Sequence, residues 1–191
     1  MRGGYGAKAA GRLSFFKMIL NTARLTLKPQ QQTDAPALFS ILGDVEAMRF
    51  WNHPPIARLV VVEELVREQQ AAQANGQCRY WTVQEDTDTI GSVDLSLIQN
   101  GSAELGFLIR RDRWGRGLAG EAVAAVIRHA FGPMALNRLA AAIQAENHKA
   151  ARVVEKSGFV AIDRRRAAIA SGEIRDCVFY LLRRDQLMPA V

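Results

Sequence analysis

The sequence predicts a single α+β domain spanning residues 22–187. Three observations predict it. Residues 79–109 alternate apolar and polar in a run of hairpin-linked segments. Segments on either side of that run carry helical spacing, and the chain after residue 137 returns to strand-like stretches. No internal repeat and no linker-like stretch divides the chain, so one layered domain accounts for all of it.

The elements follow in order. Residues 24–27, Arg-Leu-Thr-Leu, alternate as a short strand. Thr33-Asp34 is placed to cap a helix over 35–42. Two prolines make Asn52-His53-Pro54-Pro55 a break, since neither is tolerated inside a helix. Residues 60–75 form an amphipathic helix whose stripe is Val61, Leu65 and Val66, stopped by Asn75-Gly76. Strands at 79–84, 90–98 and 103–109 make an antiparallel meander. Asn100-Gly101 joins the last two, because a type I′ turn needs positive φ at both central residues. A helix at 118–131 buries Val123, Val126, Ile127 and Ala130 and ends at Gly132-Pro133. Residues 138–144 read as a buried strand. Asn147 caps a helix that ends at Ser157, with Gly158 left-handed and Phe159 folding back on Val154. The last strands are expected at 159–163 and 176–182. Residues 1–21 are set apart as a flexible extension: the first 17 hold four glycines, four basic residues and no acid, and their apolar run is too short for a signal-peptide core.

Composition narrows the function classes. The chain has 191 residues, 49% hydrophobic and 23% charged, which suits a soluble domain with a real core. No apolar run approaches the roughly 20 residues of a membrane span. The net charge of +6 is scattered apart from Arg164-Arg165-Arg166 and Arg183-Arg184. No basic helix interleaves aromatics, so nucleic-acid binding is disfavoured. Cys78 and Cys177 lie far apart without metal-ligand spacing, as reduced core thiols of a cytoplasmic protein do. His53, His129 and His148 are equally scattered, so no metal is expected; His129 and His148 read as surface residues.

The run Arg111-Asp112-Arg113-Trp114-Gly115-Arg116-Gly117-Leu118-Ala119 leads from a strand into a helix. A helix start offers free N–H groups and the positive end of the dipole. Gly115 and Gly117 let the backbone approach phosphate oxygens, and Arg113 and Arg116 add charge. The same residues also read as a plain glycine turn with solvated arginines. Gly115 to Gly120 matches G-x-G-x-x-G, yet a dinucleotide fold needs a parallel βαβ unit and an acid about 20 residues on. Residues 133–145 hold no Asp or Glu. Kinase and P-loop ATPase signatures are absent.

With these set aside, the chain resembles the Gcn5-related N-acetyltransferase (GNAT) superfamily over about residues 23–185. Trp114-Gly115-Arg116-Gly117-Leu118-Ala119 fits the signature Gln/Arg-x-x-Gly-x-Gly/Ala in all but its first position. With Glu121-Ala122 it looks like the branch of ribosomal-protein N-terminal acetyltransferases. Asn147 to Phe159 is similar to a second family motif, and both motifs stand in the family's order. The resemblance implies a mixed, mostly antiparallel sheet flanked by helices. It implies acetyl-CoA as co-substrate, without a metal, and transfer of its acetyl group to a primary amine of a small molecule or a protein N-terminus. A homodimer is left open.

No Ser-His-Asp set is evident and neither cysteine lies near the motif, so direct attack in a ternary complex is preferred to an acyl-enzyme. The resemblance makes Glu104 the base, partly desolvated by Leu105, Phe107 and Leu108. It assigns backbone N–H groups around Leu108 and Ile109 to the thioester oxygen and Asn147 to the pantetheine arm; Arg152 is placed to reach the phosphates, or is a plain exposed helix arginine. Trp51, His53 and Trp81 are assigned to the acceptor pocket, although a core position is the commoner place for such aromatics. Ala150 departs from the Ser frequent in this branch, leaving the leaving thiolate without that donor. A non-catalytic acyl-CoA-binding or regulatory module is the alternative.

Overall fold

Alternation along the strands and helical spacing elsewhere sort the apolar side chains onto the two faces of one sheet. The computed structural model describes residues 18–169 and 171–187. In chain order these form β1 (Leu20–Asn21), β2 (Leu25–Pro29), α1 (Ala35–Leu42), α2 (Val45–Met48), α3 (Leu59–Ala74), β3 (Arg79–Glu85), β4 (Asp88–Gln99) and β5 (Ser102–Ile109). Then come α4 (Leu118–Phe131), β6 (Arg138–Gln144), α5 (His148–Lys156), β7 (Val160–Ala168), β8 (Ile174–Arg183) and α6 (Arg184–Leu187). The flexible extension expected at 1–21 lies outside the described residues up to residue 17. Its last residues belong to the fold: β1 pairs with β2, and the Met18 carbonyl accepts a 2.8 Å bond from the Trp81 indole.

The sheet has eight strands in the order β1-β2-β3-β4-β5-β6-β8-β7. Its parallel pair is β5–β6, and its other neighbours run antiparallel. The fold class is therefore the mixed, mostly antiparallel α+β sheet expected. One face packs on α4 and α5 through Leu27, Trp81, Val93, Leu105, Val126 and Leu139. The opposite face carries α1, α2 and α3 through Leu38, Ile41, Met48, Val62 and Val66, with Leu108 rising from the sheet to meet them.

Local signals held where the backbone had one solution. Asn100 and Gly101 take φ of 49° and 70°, as a type I′ turn requires. Gly158 sits at φ 94°, the Phe159 N–H reaches the Val154 carbonyl at 3.1 Å, and the Gly158 N–H reaches that of Glu155 at 3.0 Å. That is a complete Schellman ending, with Phe159 and Val154 both buried.

Three expectations need correction. The buried stripe of α3 is Val62 and Val66, one turn apart, whereas Val61 is 41% exposed. Asp34 caps α1 without a side-chain bond; its carboxylate instead accepts from the Thr82 hydroxyl at 2.8 Å and pairs with Lys28. The last hairpin runs to Ala168 and restarts at Ile174, well beyond the range read from apolar residues. Strand β7 is an edge strand exposed along nearly its whole length, so its arginines are compatible with pairing to β8 alone.

Gly91 offers a test of the packing around β5. A Cβ there would lie 2.2 Å from the Leu108 carbonyl oxygen and 2.7 Å from the Ile109 side chain. Gly91→Ala is expected to lower the denaturant midpoint by the equivalent of about 1–3 kcal/mol, the usual cost of overpacking, while Gly120→Ala, which meets no atom within 4 Å, leaves it nearly unchanged.

Candidate active site

Strands β5 and β6 pair over three rungs only: Ser102 with Arg138, Ala103 with Leu139, and Glu104 with Ala140. Beyond Glu104 they part, and β5 continues to Ile109 with its outer edge unpaired. Which peptide groups face the gap follows from alternation. The Arg110 N–H donates to the Ile90 carbonyl at 2.7 Å, and the Leu108 carbonyl faces Gly91. The even-numbered peptide groups thus turn toward β4, and those of Leu105, Phe107 and Ile109 turn toward the gap. The Ile109 carbonyl is taken by the Trp114 indole N–H at 2.7 Å. The donors left at the gap are the N–H groups of Phe107 and Ile109. The assignment of Leu108 is corrected accordingly: its N–H belongs to the β4 ladder, and Phe107, which sequence reasoning missed, takes its place. Strand parity alone would have found it, had the facing of one residue been known.

At the open end of the gap, Arg111–Arg113 form a 3-10 turn and the chain enters α4. Gly115 and Gly117 adopt φ of 75° and 77°, a region that L side chains rarely visit. Gly117 is the N-cap of α4 and brings no side-chain bond. The Glu121 N–H, bonded to the Gly117 carbonyl, begins the helical ladder, so those of Leu118, Ala119 and Gly120 precede it as free donors. A Cβ built at Gly115 or Gly120 meets nothing within 4 Å, and one at Gly117 meets only the Arg24 guanidinium at 3.7 Å. Main-chain donors around an uncrowded hollow at a helix start fit a pyrophosphate.

The loop arginines are less available than the sequence suggests. Arg116 forks onto Glu85 at 2.7 and 3.1 Å, and Arg113 reaches Asp88 at 2.9 Å and Glu85 at 3.3 Å. Hydrogen bonds from Arg110, joined by Arg113, hold the Asp88 carboxyl at about 2, well below the usual range. Glu121 is also engaged: Thr22 donates to it at 2.6 Å and Arg24 pairs with it at 2.6 Å, while Arg24 also holds the Arg116 carbonyl. These contacts fasten the cradle to the turn between β1 and β2. Asn147 accepts from the Ala150 N–H at 3.1 Å as the cap of α5. Arg152 is exposed on that helix. The Lys149 ammonium lies 4.7 Å over the Trp114 ring, joining α5 to the loop across the gap. Ser157 bonds the Val153 carbonyl at the far end of α5, away from the gap.

Glu104 stands on the last rung before the strands part. Its side chain shares the face of Leu108, toward α1, α2 and α3, and burial raises its pKa. It borders a hollow of about 230 Å³ that also takes in Leu97, Ser102, Arg138 and Ala140. Asp94 lies diagonally across from it: in the β4–β5 register Ser96 faces Glu104 and Asp94 faces Gly106. Burial, then the charge of Glu104, pushes the Asp94 carboxyl up to about 7. No motif marked Asp94. The signal available was its acidic side chain at a sheet-facing position opposite a glycine.

The predicted acceptor residues do not gather. Trp81 is fully buried, its indole bonded to Met18 and its ring edge-on to His129 at 5.7 Å. Both are core residues, which corrects Trp81 as pocket lining and His129 as surface. Trp51 and His53 sit on a loop held by Gln144, whose amide donates to the Phe50 and Trp51 carbonyls at 3.1 and 3.2 Å. Gln144 ends β6, roughly 13 Å of strand beyond Ala140, so this loop borders the open end of the gap rather than Glu104. Among the described residues, no group of three or more His, Cys, Asp or Glu side chains is arranged to hold a metal ion.

The family model described as "Acetyltransferase (GNAT) domain" matches residues 24–160. An uncharacterized N-acetyltransferase, p20, of Bacillus licheniformis is 29% identical over 73% of this chain and 81% of its own length. The crystal structure of spermidine N-acetyltransferase from Vibrio cholerae, in complex with CoA and spermine, superimposes with TM-score 0.77 at 21% identity, covering 86% of this chain and 98% of that one. RimL, a ribosomal-protein alpha-N-acetyltransferase solved with coenzyme A, gives TM-score 0.78 at 16% identity over 86% of this chain and 97% of its own.

The raised Asp94 carboxyl makes a stability prediction with a definite sign. Between its ordinary value of 3.8 and the folded value of about 7, the folded protein binds more protons than the unfolded chain. Stability therefore falls as pH rises through that window. Asp94→Asn is expected to melt at least ~2 °C above the wild type at pH 8 and to lose that advantage near pH 4. Melting curves across pH 4–8 check it.

Proposed function

This chain belongs to the GNAT acetyltransferase family, and on that premise we propose that it acetylates a primary amine by direct attack on acetyl-CoA in a ternary complex, with Glu104 as the base. That it is an acetyl-CoA-dependent N-acetyltransferase follows from the family. The residue roles are our reading, and one observation carries them: β5 and β6 part immediately after the rung that bears Glu104.

The geometry supports the chemistry in sequence. The main-chain donors of Gly115 to Gly120 and the dipole of α4 hold the pyrophosphate. The pantetheine arm then lies in the gap, with Asn147 and Lys149 on its α5 side. The thioester oxygen lies against the N–H groups of Phe107 and Ile109, which stabilise the oxyanion as the amine adds. Glu104 takes a proton from the amine, the C–N bond forms and the C–S bond breaks. Ala150 carries no hydroxyl, so the thiolate is protonated by water. That missing donor is what favours the second reading, a non-catalytic acyl-CoA-binding or regulatory module; release of free thiol separates the two.

The acceptor is a small-molecule amine or a protein N-terminus, the two kinds named for the relatives above. We assign the protein to the cytoplasm because both cysteines are buried free thiols. Among the described residues, no helix is long and apolar enough to cross a membrane.

Two outcomes are expected. CoA at 100 times its dissociation constant stabilises the fold by roughly 2.7 kcal/mol, and Gly117→Asp, which puts a carboxylate into the cradle, abolishes the shift; a melting temperature indifferent to millimolar CoA contradicts the cradle. Glu104→Gln lowers thiol release about 10²–10⁴-fold with CoA affinity and melting temperature preserved. Near-wild-type turnover in that variant, with a good acceptor, removes Glu104 as the base.

A further inference from the structure

Asp94 is placed with a care that packing does not explain. It is paired in register with Tyr80 on β3 and with Gly106 on β5, so it stands on the same sheet face as Glu104, diagonally two residues along the ladder. A Cβ at Gly106 would lie 2.5 Å from one Asp94 carboxylate oxygen and 3.2 Å from the other. The carboxylate occupies the space that any other residue at 106 would fill. Among the described residues no protein hydrogen bond contributes to its ionisation or to that of Glu104, and both side chains are half-buried. Two half-buried carboxylates thus share a face without a protein donor among the described residues.

The groups around them do not supply a counter-charge. From β3 and the residue before it, Tyr80 and Cys78 flank Asp94; both have raised pKa values and stay neutral at physiological pH. Further along the same face Asp34 is already matched by Lys28 and Thr82. On β6, Arg138 borders the hollow beside Glu104 and is exposed to solvent, where its charge is screened. No cation among these groups is therefore placed to offset the charge that the pair carries at the foot of the gap.

We propose that Asp94 is a positioning residue that acts through Glu104: fixed over Gly106, its carboxylate strengthens Glu104 as a proton acceptor and selects acceptors that arrive as ammonium ions. The inference rests on Glu104 as base and adds the partner that makes it effective. The two carboxyls are coupled, so the pair holds a first proton more tightly than Glu104 would alone. An ammonium approaching the pair relieves the repulsion between the carboxylates. The ammonium loses two protons over the reaction: Glu104 accepts the first, the second leaves as the tetrahedral adduct collapses, and one of the two ends on the CoA sulfur while the other passes to solvent. The amide product is neutral, so the pair no longer holds it. Acceptors with a carboxylate beside the amine are disfavoured by the same field.

The test compares Asp94→Asn with Glu104→Gln, using acetyl-CoA and a panel of amines that includes a diamine, a monoamine and an amino acid. Asp94→Asn is expected to raise KM for the diamine about 10-fold, to leave KM for acetyl-CoA unchanged, and to move the acid limb of kcat/KM to lower pH with a reduced plateau, because Glu104 becomes a weaker base. A residue that merely supports the fold would not shift that limb. Gly106→Ala, which displaces the carboxylate, should change the profile in the same way, and should be nearly silent once Asp94 is Ala. An unmoved acid limb and unchanged diamine KM in Asp94→Asn, with Glu104→Gln still crippled, overturns the role of Asp94 alone. Wild-type turnover in Glu104→Gln overturns the base assignment beneath it.

Discussion

Three rungs of parallel pairing hold β5 to β6, and the site depends on their number. Further rungs would draw the N–H groups of Phe107 and then Ile109 into the sheet. With fewer, the rung of Glu104 would be lost and the carboxylate would drift from the end of the gap. The Trp114 indole takes the Ile109 carbonyl, so the parted edge keeps its donors available while one acceptor is satisfied internally. Trp114 also packs against both apolar clusters, tying the loop to each layer of the domain.

Charge is arranged in opposite ways at the two ends of this gap. At the cradle, Arg110, Arg113 and Arg116 meet Glu85, Asp88 and Asp112, forming a network that stiffens the loop from outside. Exposed pairs of this kind contribute little singly, but several together hold a loop whose glycines give it no stiffness of its own. The binding surface itself is main chain. At the other end, Glu104 borders the hollow and Asp94 stands beside it on the same face, without ion-pair partners among the described residues. Under the proposed mechanism, phosphate recognition falls to oriented dipoles and proton transfer to the coupled carboxyls of Asp94 and Glu104.

Much of this was legible in the residues. The meander, the Asn100-Gly101 turn, the helix opened by the glycine loop and the Asn147-to-Gly158 helix each have a local cause, and each is where it was expected. The cradle was legible because backbone chemistry at a helix start depends on few residues. What was missed depends on long-range placement. Trp81 and His53 were both assigned to the acceptor pocket, yet one is core and the other sits on a loop tethered through Gln144. Asp94 acquires its meaning from Gly106 and Glu104 on the next strand, a relation of register that no single stretch of sequence displays. The arginines looked like phosphate ligands because their acidic partners at Glu85 and Asp88 lie more than 20 residues earlier.

The exposed edge of β7 bears on how copies of this protein meet one another. Val160 and Ile162, at 53% and 61% exposure, would make an inviting template for another strand. Arg164, Arg165 and Arg166 follow at once, with Arg165 laid over the Phe179 ring and paired to Asp163. An antiparallel approach of two such edges about their middle sets arginine against arginine. The strand thus carries its own deterrent against sheet-to-sheet aggregation, and neutralising those arginines would trade solubility for stickiness without touching the reaction.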